Sequence, residues 1–283
     1  MTAPTLLVVD PAHFDVSYAI NPWMQPGAWA RDPQGMRQAA RRAYDALCAA
    51  LQAAGCKLEK APGAAGLPDM VFPANAAVVL DGRAIVARFR HPQRQGEEAH
   101  FLEIFEGLRE RGLLTEVTQL PAGCFQEGAG DCIWDPVRRH FWGGYGPRGK
   151  REAIDVMETF FNREIVPLEL VSERCYHLDV GFCPLSGGEV LYFPGALSPA
   201  ALKAVHARVP PGLRIEASED DLAHFSVNAV CAGRHIVMNR TTERLRNELG
   251  ERGYTLHEVD LAPFVLSGGG AFCMTLRLNR ASA

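Results

Sequence analysis

A glycine-rich segment near the end of the chain, LSGGGAFCMTLRL, places Cys273 three residues after the last of three consecutive glycines. Glycines let the backbone approach a ligand closely, and unhindered N–H groups can lower the pKa of a nearby thiol. A thiol in this setting is a candidate nucleophile. From this motif alone, however, a buried and inert strand cysteine is the simpler interpretation, because free cysteine is among the most buried residue types.

The segment YHLDVGF places an imidazole and a carboxylate two residues apart. If the segment is a strand, His177 and Asp179 point to the same face, since side chains alternate along a strand. His177 is then a candidate general acid and base, and Asp179 a group that binds substrate or tunes the histidine. A satisfied core histidine beside a surface aspartate explains the motif equally well.

The segment FQEGAGDCIWD carries two acids around a Gly-Ala-Gly turn. Such a turn commonly means a tight corner with solvated acids. Here Glu127 and Asp131 lie where an apolar strand begins, so both carboxylates are expected at the same end of that strand.

Polar residues also surround the apolar run PDMVFPANAAVV. Asp69 and Asn75 flank it, and Arg94 follows in RFRHPQRQGEE. Taken singly, each is better explained as an ordinary turn or loop residue than as a functional one.

A strand, a tight turn, a second strand, a helix and a further strand recur every 50–60 residues or so along the chain. Five units fit this repeat, at 1–65, 66–122, 123–172, 173–218 and 219–283. Repetition at this period predicts an α/β fold whose modules pack around an axis, as in propellers, rather than one doubly wound sheet. No linker interrupts the series, so we expect a single domain over 1–283. The candidate residues begin inner strands of successive modules and would meet at the axis, as covalent catalysis requires.

The element boundaries come from local patterns. Helices are predicted at about 35–54, 97–111, 150–161, 199–208 and 242–252. Strands are predicted at 6–10, 70–80, 83–89, 115–120, 130–135, 140–145, 165–170, 176–185, 189–194, 224–233, 235–239, 254–260 and 271–278.

Composition and charge limit the expected binding partners of the protein and its expected cellular location. The chain has 283 residues, 47% of them hydrophobic, and a formal net charge of -4, so nucleic acid is not an expected partner. The beginning of the chain has no basic region before its short apolar run, and no stretch approaches the roughly 20 apolar residues of a membrane span. We therefore expect a cytoplasmic protein that does not bind membranes. Its eight cysteines form no CxxC pair, which argues against a metal site.

Taken together, the motifs resemble those of the guanidine-modifying enzymes, which include dimethylarginine dimethylaminohydrolase, arginine deiminase, arginine dihydrolase and the amidinotransferases. The resemblance runs over nearly the whole chain and implies a five-bladed α/β propeller of ββαβ modules with its site on the axis. It is carried by NPWM (21–24), FPANAAVV (72–79), ARFRHPQRQGEE (87–98), EGAGD (127–131), GYGPR (144–148), YHLDVGF (176–182) and GGGAFCM (268–274).

The resemblance also implies a role for individual residues. It makes Cys273 the nucleophile, His177 the acid and base, and Glu127 the carboxylate of a catalytic triad. It also implies that three further side chains bind the substrate: Asp179 binds the guanidinium group, and Arg94 and Arg148 bind the α-carboxylate.

The acidic turn departs from the pattern of many relatives, which have the catalytic carboxylate three residues before the aspartate. Glu127 precedes Asp131 by four. Either a one-residue bulge absorbs the difference, or Asp131 has taken part of the role and also contacts substrate.

Asn75 is a second departure, because deiminases and dimethylarginine hydrolases carry aspartate there. An amide has one donor and one acceptor face, which suits a neutral ureido group better than a carboxylate does. The dihydrolases, which remove two amines from arginine, resemble this chain at Asn75 and at Asn21. The sequence thus favours arginine dihydrolysis, with ornithine, ammonia and carbon dioxide as products, through a covalent thiouronium intermediate.

Three other functions stay open: dimethylarginine hydrolysis to citrulline and dimethylamine, amidino transfer to an amine, and non-catalytic binding of a cationic amino acid. The expected partner is a small guanidino compound, arginine or a derivative. No metal or organic cofactor is expected, and the sequence leaves room for a homo-oligomer.

Overall fold

Short strands in five separate three-stranded sheets form the framework of the molecule, in a computed structural model that describes residues 2–283. In chain order the strands are β1 (Thr5–Val9), β2 (Lys57–Ala61), β3 (Ala77–Leu80), β4 (Arg83–Val86), β5 (Glu116–Gln119), β6 (Cys132–Asp135), β7 (His140–Tyr145), β8 (Ile165–Glu169), β9 (Phe182–Pro184), β10 (Val190–Tyr192), β11 (Arg214–Glu216), β12 (Val230–Ala232), β13 (His235–Asn239), β14 (Thr255–Val259) and β15 (Leu276–Arg277).

The helices connect the parallel strands. They are α1 (Pro26–Trp29), α2 (Pro33–Ala53), α3 (Pro92–Gln95), α4 (Glu97–Glu110), α5 (Arg151–Phe161), α6 (Leu178–Gly181), α7 (Pro199–Arg208), α8 (Glu219–Ala223), α9 (Glu243–Glu251) and α10 (Ala262–Val265). The long helices α2, α4, α5, α7 and α9 are the five that the sequence predicts, with ends that differ by two residues at most.

All five sheets follow one plan. The first two strands pair antiparallel and the second and third pair parallel, as in β3, β4 and β5. A parallel pair needs a crossover connection, and in every sheet one of the five long helices supplies it. The predicted repeat of strand, turn, strand, helix and strand is therefore present in the structure.

The first sheet joins the two ends of the chain. Strand β15 pairs antiparallel with β1, with Leu6 opposite Arg277, while β1 pairs parallel with β2. The first strand of this sheet thus comes from the last residues of the chain. The predicted unit 219–283 is corrected accordingly, because its final strand belongs to the sheet of unit 1–65.

Helix α5 illustrates how the helices pack on the sheets. Its buried residues Ala153, Ile154, Met157 and Phe161 recur at helical spacing and form one face. That face lies in a hydrophobic cluster with Trp134, Phe141 and Ile165 of the third sheet. Burial of each large side chain contributes about 1.5–3 kcal/mol, so this face holds the helix in place.

Four predicted strands are much shorter than expected, and this changes the setting of His177, Asp179 and Cys273; in 224–233, for example, only Val230–Ala232 is extended. In 176–185 the strand begins only at Phe182, and His177 and Asp179 lie on the turn of α6, so the same-face argument for them is wrong. In 70–80 and 271–278 only the ends are extended, and Cys273 lies in a turn before β15. Their apolar composition reflects burial, while local bonds such as Met274 N–H to the Gly270 carbonyl (3.1 Å) fold them into turns.

Strands β2 and β11 were not predicted. Both are third strands at a sheet edge, and both carry exposed polar residues that weaken the strand pattern. Within residues 2–283, no helix is both long enough and apolar enough to cross a lipid bilayer.

Candidate active site

The segments that lead into the first strands of the sheets converge on one region. One polar residue stands just before each first strand: Asn75 before β3, Asp131 before β6, Asp179 before β9, Asn228 before β12 and Cys273 before β15. None is more than 2% exposed. The predicted convergence of Cys, His and carboxylate from different modules is therefore observed, and Asn228 is an addition to it.

Cys273 lies between an amide and a carboxylate. Its Sγ–H donates to Asp179 Oδ2 at 3.1 Å, and Asn228 Nδ2 donates to Sγ at 3.0 Å. Asn228 also accepts the Cys273 backbone N–H at 3.1 Å, which fixes the turn. Burial, together with the charge of Asp179, raises the pKa of the Cys273 thiol well above its usual value, so the resting thiol is protonated.

His177 is paired with Glu127. Their Nε2 and Oε2 atoms are 2.8 Å apart, and Arg148 Nη1 donates to the same oxygen at 2.9 Å. Although burial opposes ionisation, the charge of Arg148 and the bond to His177 hold the pKa of Glu127 well below its usual range. Burial lowers the pKa of His177 to about 4. A neutral imidazole beside an ionised carboxylate must carry its proton on Nε2, which leaves Nδ1 as an acceptor for Asn75 Nδ2 at 3.3 Å.

The EGAGD turn needs its glycines. Gly128 has a φ of +64°, and a Cβ there would lie 2.4 Å from the Ala74 carbonyl oxygen. A Cβ on Gly130 would lie 2.4 Å from Asn75 Nδ2. The turn is therefore pressed against the segment that carries Asn75, and it spaces Glu127 from Asp131 by one short 3-10 turn, Gly128–Gly130.

Asp131 forms no hydrogen bond with the His177 side chain. Its Oδ1 accepts the Leu178 backbone N–H at 3.1 Å, and its Oδ2 has no hydrogen-bond partner in the described part of the chain. Burial and the charge of Glu127 raise the pKa of Asp131 well above its usual value. Of the two acids in this turn, the one on the imidazole is Glu127.

The two arginines expected at the substrate carboxylate are engaged with protein groups. Arg94 forms a bidentate ion pair with Glu97 at 2.9 and 2.8 Å and donates to Asn75 Oδ1 at 2.9 Å. Burial raises the pKa of Glu97 to about 7, against the opposing effect of Arg94. Arg148 lies 4.7 Å over the Tyr176 ring and bonds Glu127. Both arginines line the site, but the guanidinium group of each is already paired with a protein carboxylate.

A cavity of about 240 Å³, counted with its opening, reaches Cys273; we call it the cysteine cavity. Glu127, His177 and Asp179 stand behind its lining, and each contacts a residue that belongs to it. The lining residues are Ile20, Asn21, Met24, Asp69, Phe72, Asn75, Arg94, Arg148, Tyr176, Ser267, Gly269 and Cys273.

Asn21 closes one side of this cavity. Its Oδ1 accepts the Trp23 N–H at 2.9 Å, and its Nδ2 donates to the Ser267 carbonyl at 3.1 Å. It therefore fixes the 21–24 turn against the segment before Cys273.

Asp69 is a carboxylate of the lining that sequence reasoning noted only as a flanking residue. It accepts from Tyr18 Oη at 2.8 Å and from Ser267 Oγ at 3.2 Å. Asn228 was missed altogether, because a single amide in an apolar run has no motif of its own.

A thiol at a cavity, backed by an imidazole–carboxylate pair and by further buried acids, is the arrangement of a covalent catalyst acting on a cationic substrate. Within residues 2–283, no three His, Cys, Asp or Glu side chains are grouped as a metal ion would require.

The chain belongs to the dimethylarginine dimethylaminohydrolase family: the family model described as "N,N dimethylarginine dimethylhydrolase, eukaryotic" matches residues 10–280. Among curated proteins, the bifunctional arginine dihydrolase/ornithine cyclodeaminase ArgZ of Synechocystis sp. is 37% identical over 97% of this chain. The N(G),N(G)-dimethylarginine dimethylaminohydrolase of Mycobacterium tuberculosis is 31% identical over 95% of this chain and 84% of its own length. The chain spans only about 37% of the length of ArgZ.

Solved structures agree with the family assignment. The N-terminal domain of ArgZ, a cyanobacterial arginine dihydrolase, was solved as a cysteine-to-serine variant bound to substrate. It superposes with a TM-score of 0.91 at 36% identity, covering 99% of this chain and 100% of that one. A dimethylarginine dimethylaminohydrolase, at 21% identity and a TM-score of 0.75 over 98% of this chain and 100% of its own, shares the fold.

Proposed function

We propose that this protein hydrolyses the guanidinium group of arginine through Cys273, removing both terminal nitrogens to give ornithine, two ammonia molecules and carbon dioxide. The observation that carries the proposal is Asn75, which lines the cysteine cavity and contacts both Arg94 and His177. The similarity to the dihydrolase domain of ArgZ supports it.

The first step uses the groups around the thiol. The substrate cation enters the cysteine cavity, which Asp69 lines, and its charge favours the ionised form of Asp179 beside Cys273. Its positive charge offsets the carboxylate that raises the Cys273 pKa, so substrate binding itself favours thiolate formation. The thiolate sulfur attacks the guanidinium carbon, and His177, which carries the thiol proton, delivers it to the departing ammonia.

The second step is hydrolytic. A water molecule loses a proton to His177 and attacks the thiouronium carbon, and the carbon–sulfur bond breaks to release the ureido compound and restore the thiol. A second cycle at the ureido carbon releases ornithine, ammonia and carbon dioxide, so that two waters are consumed per arginine.

Asn75 suits this second cycle. A ureido group is neutral, with one carbonyl acceptor and N–H donors. An amide side chain can donate a hydrogen bond to the carbonyl and accept one from an N–H. A carboxylate at this position would only accept.

We also propose that residues 1–283 form one domain in which the five sheets surround a common axis as a five-bladed propeller. Three observations support it: the shared plan of the sheets, the joining of β15 with β1, and the meeting of first-strand segments from all five sheets.

Product analysis tests the function. Incubation with arginine alone should release ornithine and ammonia, which separates a hydrolase from an amidinotransferase that needs an acceptor amine. The Cys273→Ser variant should lose turnover, whereas Cys124→Ser, a partly exposed cysteine outside the cavity, should keep it. Full activity of Cys273→Ser would refute the mechanism.

Dimethylarginine hydrolysis is the second candidate, favoured by the family model that matches residues 10–280. The same assay run with N,N-dimethylarginine separates the two. Release of dimethylamine and citrulline at a higher kcat/KM than arginine consumption would replace the dihydrolase assignment.

A further inference from the structure

A second cavity is lined by residues of two of the same loops and by two arginines that have no paired carboxylate among the described residues. It measures about 590 Å³ with its opening, and we call it the arginine cavity. Phe272, the residue before the nucleophile, lines it, and so does Ala129 of the EGAGD turn. First strands of four sheets form most of the remaining wall, with Val78 and Val79 of β3, Cys132, Ile133 and Trp134 of β6, Val230–Ala232 of β12, and Leu276 and Arg277 of β15; Leu6 of β1 also lines it.

Arg277 and Arg280 line this cavity and form no ion pair with any carboxylate in the part of the chain the structure describes. Arg277 makes one long hydrogen bond, from Nε to Asn279 Oδ1 at 3.4 Å, and Arg280 donates none from its side chain. Arg277 and Arg280 are only partly buried, whereas the fully buried Arg94 and Arg148 are paired with Glu97 and Glu127. Burial and the nearby Arg277 lower the pKa of Arg280 to about 10.

A third hydrogen-bond donor in the cavity wall also lacks an acceptor in the described structure. Trp134 is 3% exposed, packs edge-on against Phe141 at 4.8 Å, and lines the cavity. Its indole Nε1–H has no acceptor within residues 2–283. The indole N–H of Trp134 is thus a buried donor without a partner in the described chain, which costs free energy, and the two partly buried guanidinium groups repel each other. These three groups at one apolar cavity indicate a missing acceptor with negative charge.

We propose that the arginine cavity binds a small oxyanion, of the size of bicarbonate, acetate or phosphate, on Arg280, Arg277 and the indole N–H of Trp134. Guanidinium groups match the paired oxygens of carboxylates and phosphates, and the apolar wall strengthens such contacts by lowering the local dielectric constant. The site is separate from the cysteine cavity, because Arg94 and Arg148 line only the latter.

The test is a set of titrations at constant ionic strength with sodium bicarbonate, acetate and phosphate, followed by tryptophan fluorescence and by thermal unfolding. Each arm reports one oxyanion, and acetamide serves as the neutral counterpart of acetate. We expect at least one oxyanion, but not acetamide, to raise the wild-type Tm with saturation and to change the fluorescence.

The variants locate the site. Arg280→Gln should weaken oxyanion binding by about tenfold or more while turnover is kept, and without added anion its Tm should equal or exceed that of the wild type. Arg109→Gln, an exposed residue of α4, is the matched control and should bind as the wild type does. Should Arg280→Gln not fold, Trp134→Phe and Arg280→Lys should each still weaken binding.

Three results would overturn the proposal. One is a wild type that shows no saturable response to any of the oxyanions. Another is an equal response in Arg280→Gln and Arg109→Gln, which would mean a general salt effect or binding in the cysteine cavity. The last is weaker binding in Arg109→Gln alone.

Discussion

At the scale of single residues, the site depends on how charge is distributed among buried groups. Glu127 is held ionised by Arg148 and His177, while burial favours the neutral forms of Asp131 and Asp179. Motifs, together with the family resemblance, singled out Cys273, His177 and Glu127, which lie at or directly behind the cysteine cavity. They were insufficient for Asn228, and they could not show that Arg94 is committed to Glu97, because pairing of buried groups depends on contacts between distant segments.

Replacing Asn75 with Asp should separate the two proposed hydrolytic cycles. A carboxylate cannot donate to His177 Nδ1, now 3.3 Å from Asn75 Nδ2, and it offers no donor to a ureido group. We expect the ureido product to accumulate and ornithine formation to fall by about tenfold, the effect of a lost hydrogen bond worth about 1.4 kcal/mol. Mass spectrometry of the products measures this, with the exposed Asn247→Asp as control. Ornithine as the sole product would show that Asn75 does not decide the outcome.

Replacing Asp179 with Asn should make the protein more stable at neutral and higher pH. Burial raises the pKa of Asp179 from 3.8 to about 7, so its contribution to stability is present below pH 3.8 and is lost as the pH rises through 7. The free energy of unfolding of Asp179→Asn relative to wild type should therefore increase between pH 4 and pH 8. Urea unfolding at several pH values measures it, with the exposed Asp155→Asn as control. A difference that does not vary with pH would contradict the assignment.

At the scale of elements, helical periodicity predicted the long helices because each has one buried face. The middle strands, which are buried on consecutive residues, were predicted from apolar β-branched and aromatic runs bounded by turn residues. Strands β7 (His140–Tyr145) and β13 (His235–Asn239) match the prediction residue for residue. The approaches to the first strands were misjudged, since 3-10 and helical turns there are buried on all sides. A pattern of burial carries no period when every side of a segment is covered.

Gly128→Ala should be strongly destabilising because the turn that carries Glu127 has no room for a side chain. The positive φ of Gly128 opposes the change, and so does the Ala74 carbonyl oxygen, which would lie 2.4 Å from the new Cβ; we expect a loss of about 2 kcal/mol or more. Gly107→Ala in α4 is the matched control: nothing lies within 4 Å of a Cβ there, and helix propensity predicts a gain of roughly 0.5–1 kcal/mol. Urea unfolding of both variants checks the contrast, which equal effects would refute.

At the scale of the whole molecule, the repeat in the sequence predicted five similar units, and the structure has five sheets of one plan. The repeat could not show which strand from the end of the chain completes the first sheet. A sequence read from its first residue assigns β15 to the last unit, whereas pairing across the ends of the chain places it beside β1.

A circular permutant should therefore fold and keep its activity. Asn279 Nδ2 donates to the Ala3 carbonyl at 2.7 Å, so a short linker can join the two ends, and new ends can be opened at the exposed Gly212 before β11. We expect turnover within about threefold of the original, since no contact of the site is lost. Deletion of residues 276–283 is the contrasting variant and should abolish turnover. A permutant that folds but is inactive would contradict this account of the closure.

The pairing of β1 with β15 also determines how the molecule responds to mechanical force. In this antiparallel pair, Leu6 faces Arg277 and the Leu278 N–H donates to the Thr5 carbonyl, so both chain ends leave from the same end of the strand pair. Tension applied to the two ends loads these hydrogen bonds one after another, as in unzipping, rather than all at once as in shear. The first structure to rupture would be the pair that leads directly into the Cys273 turn, so a modest pull would disable the thiol while the other four sheets stay folded.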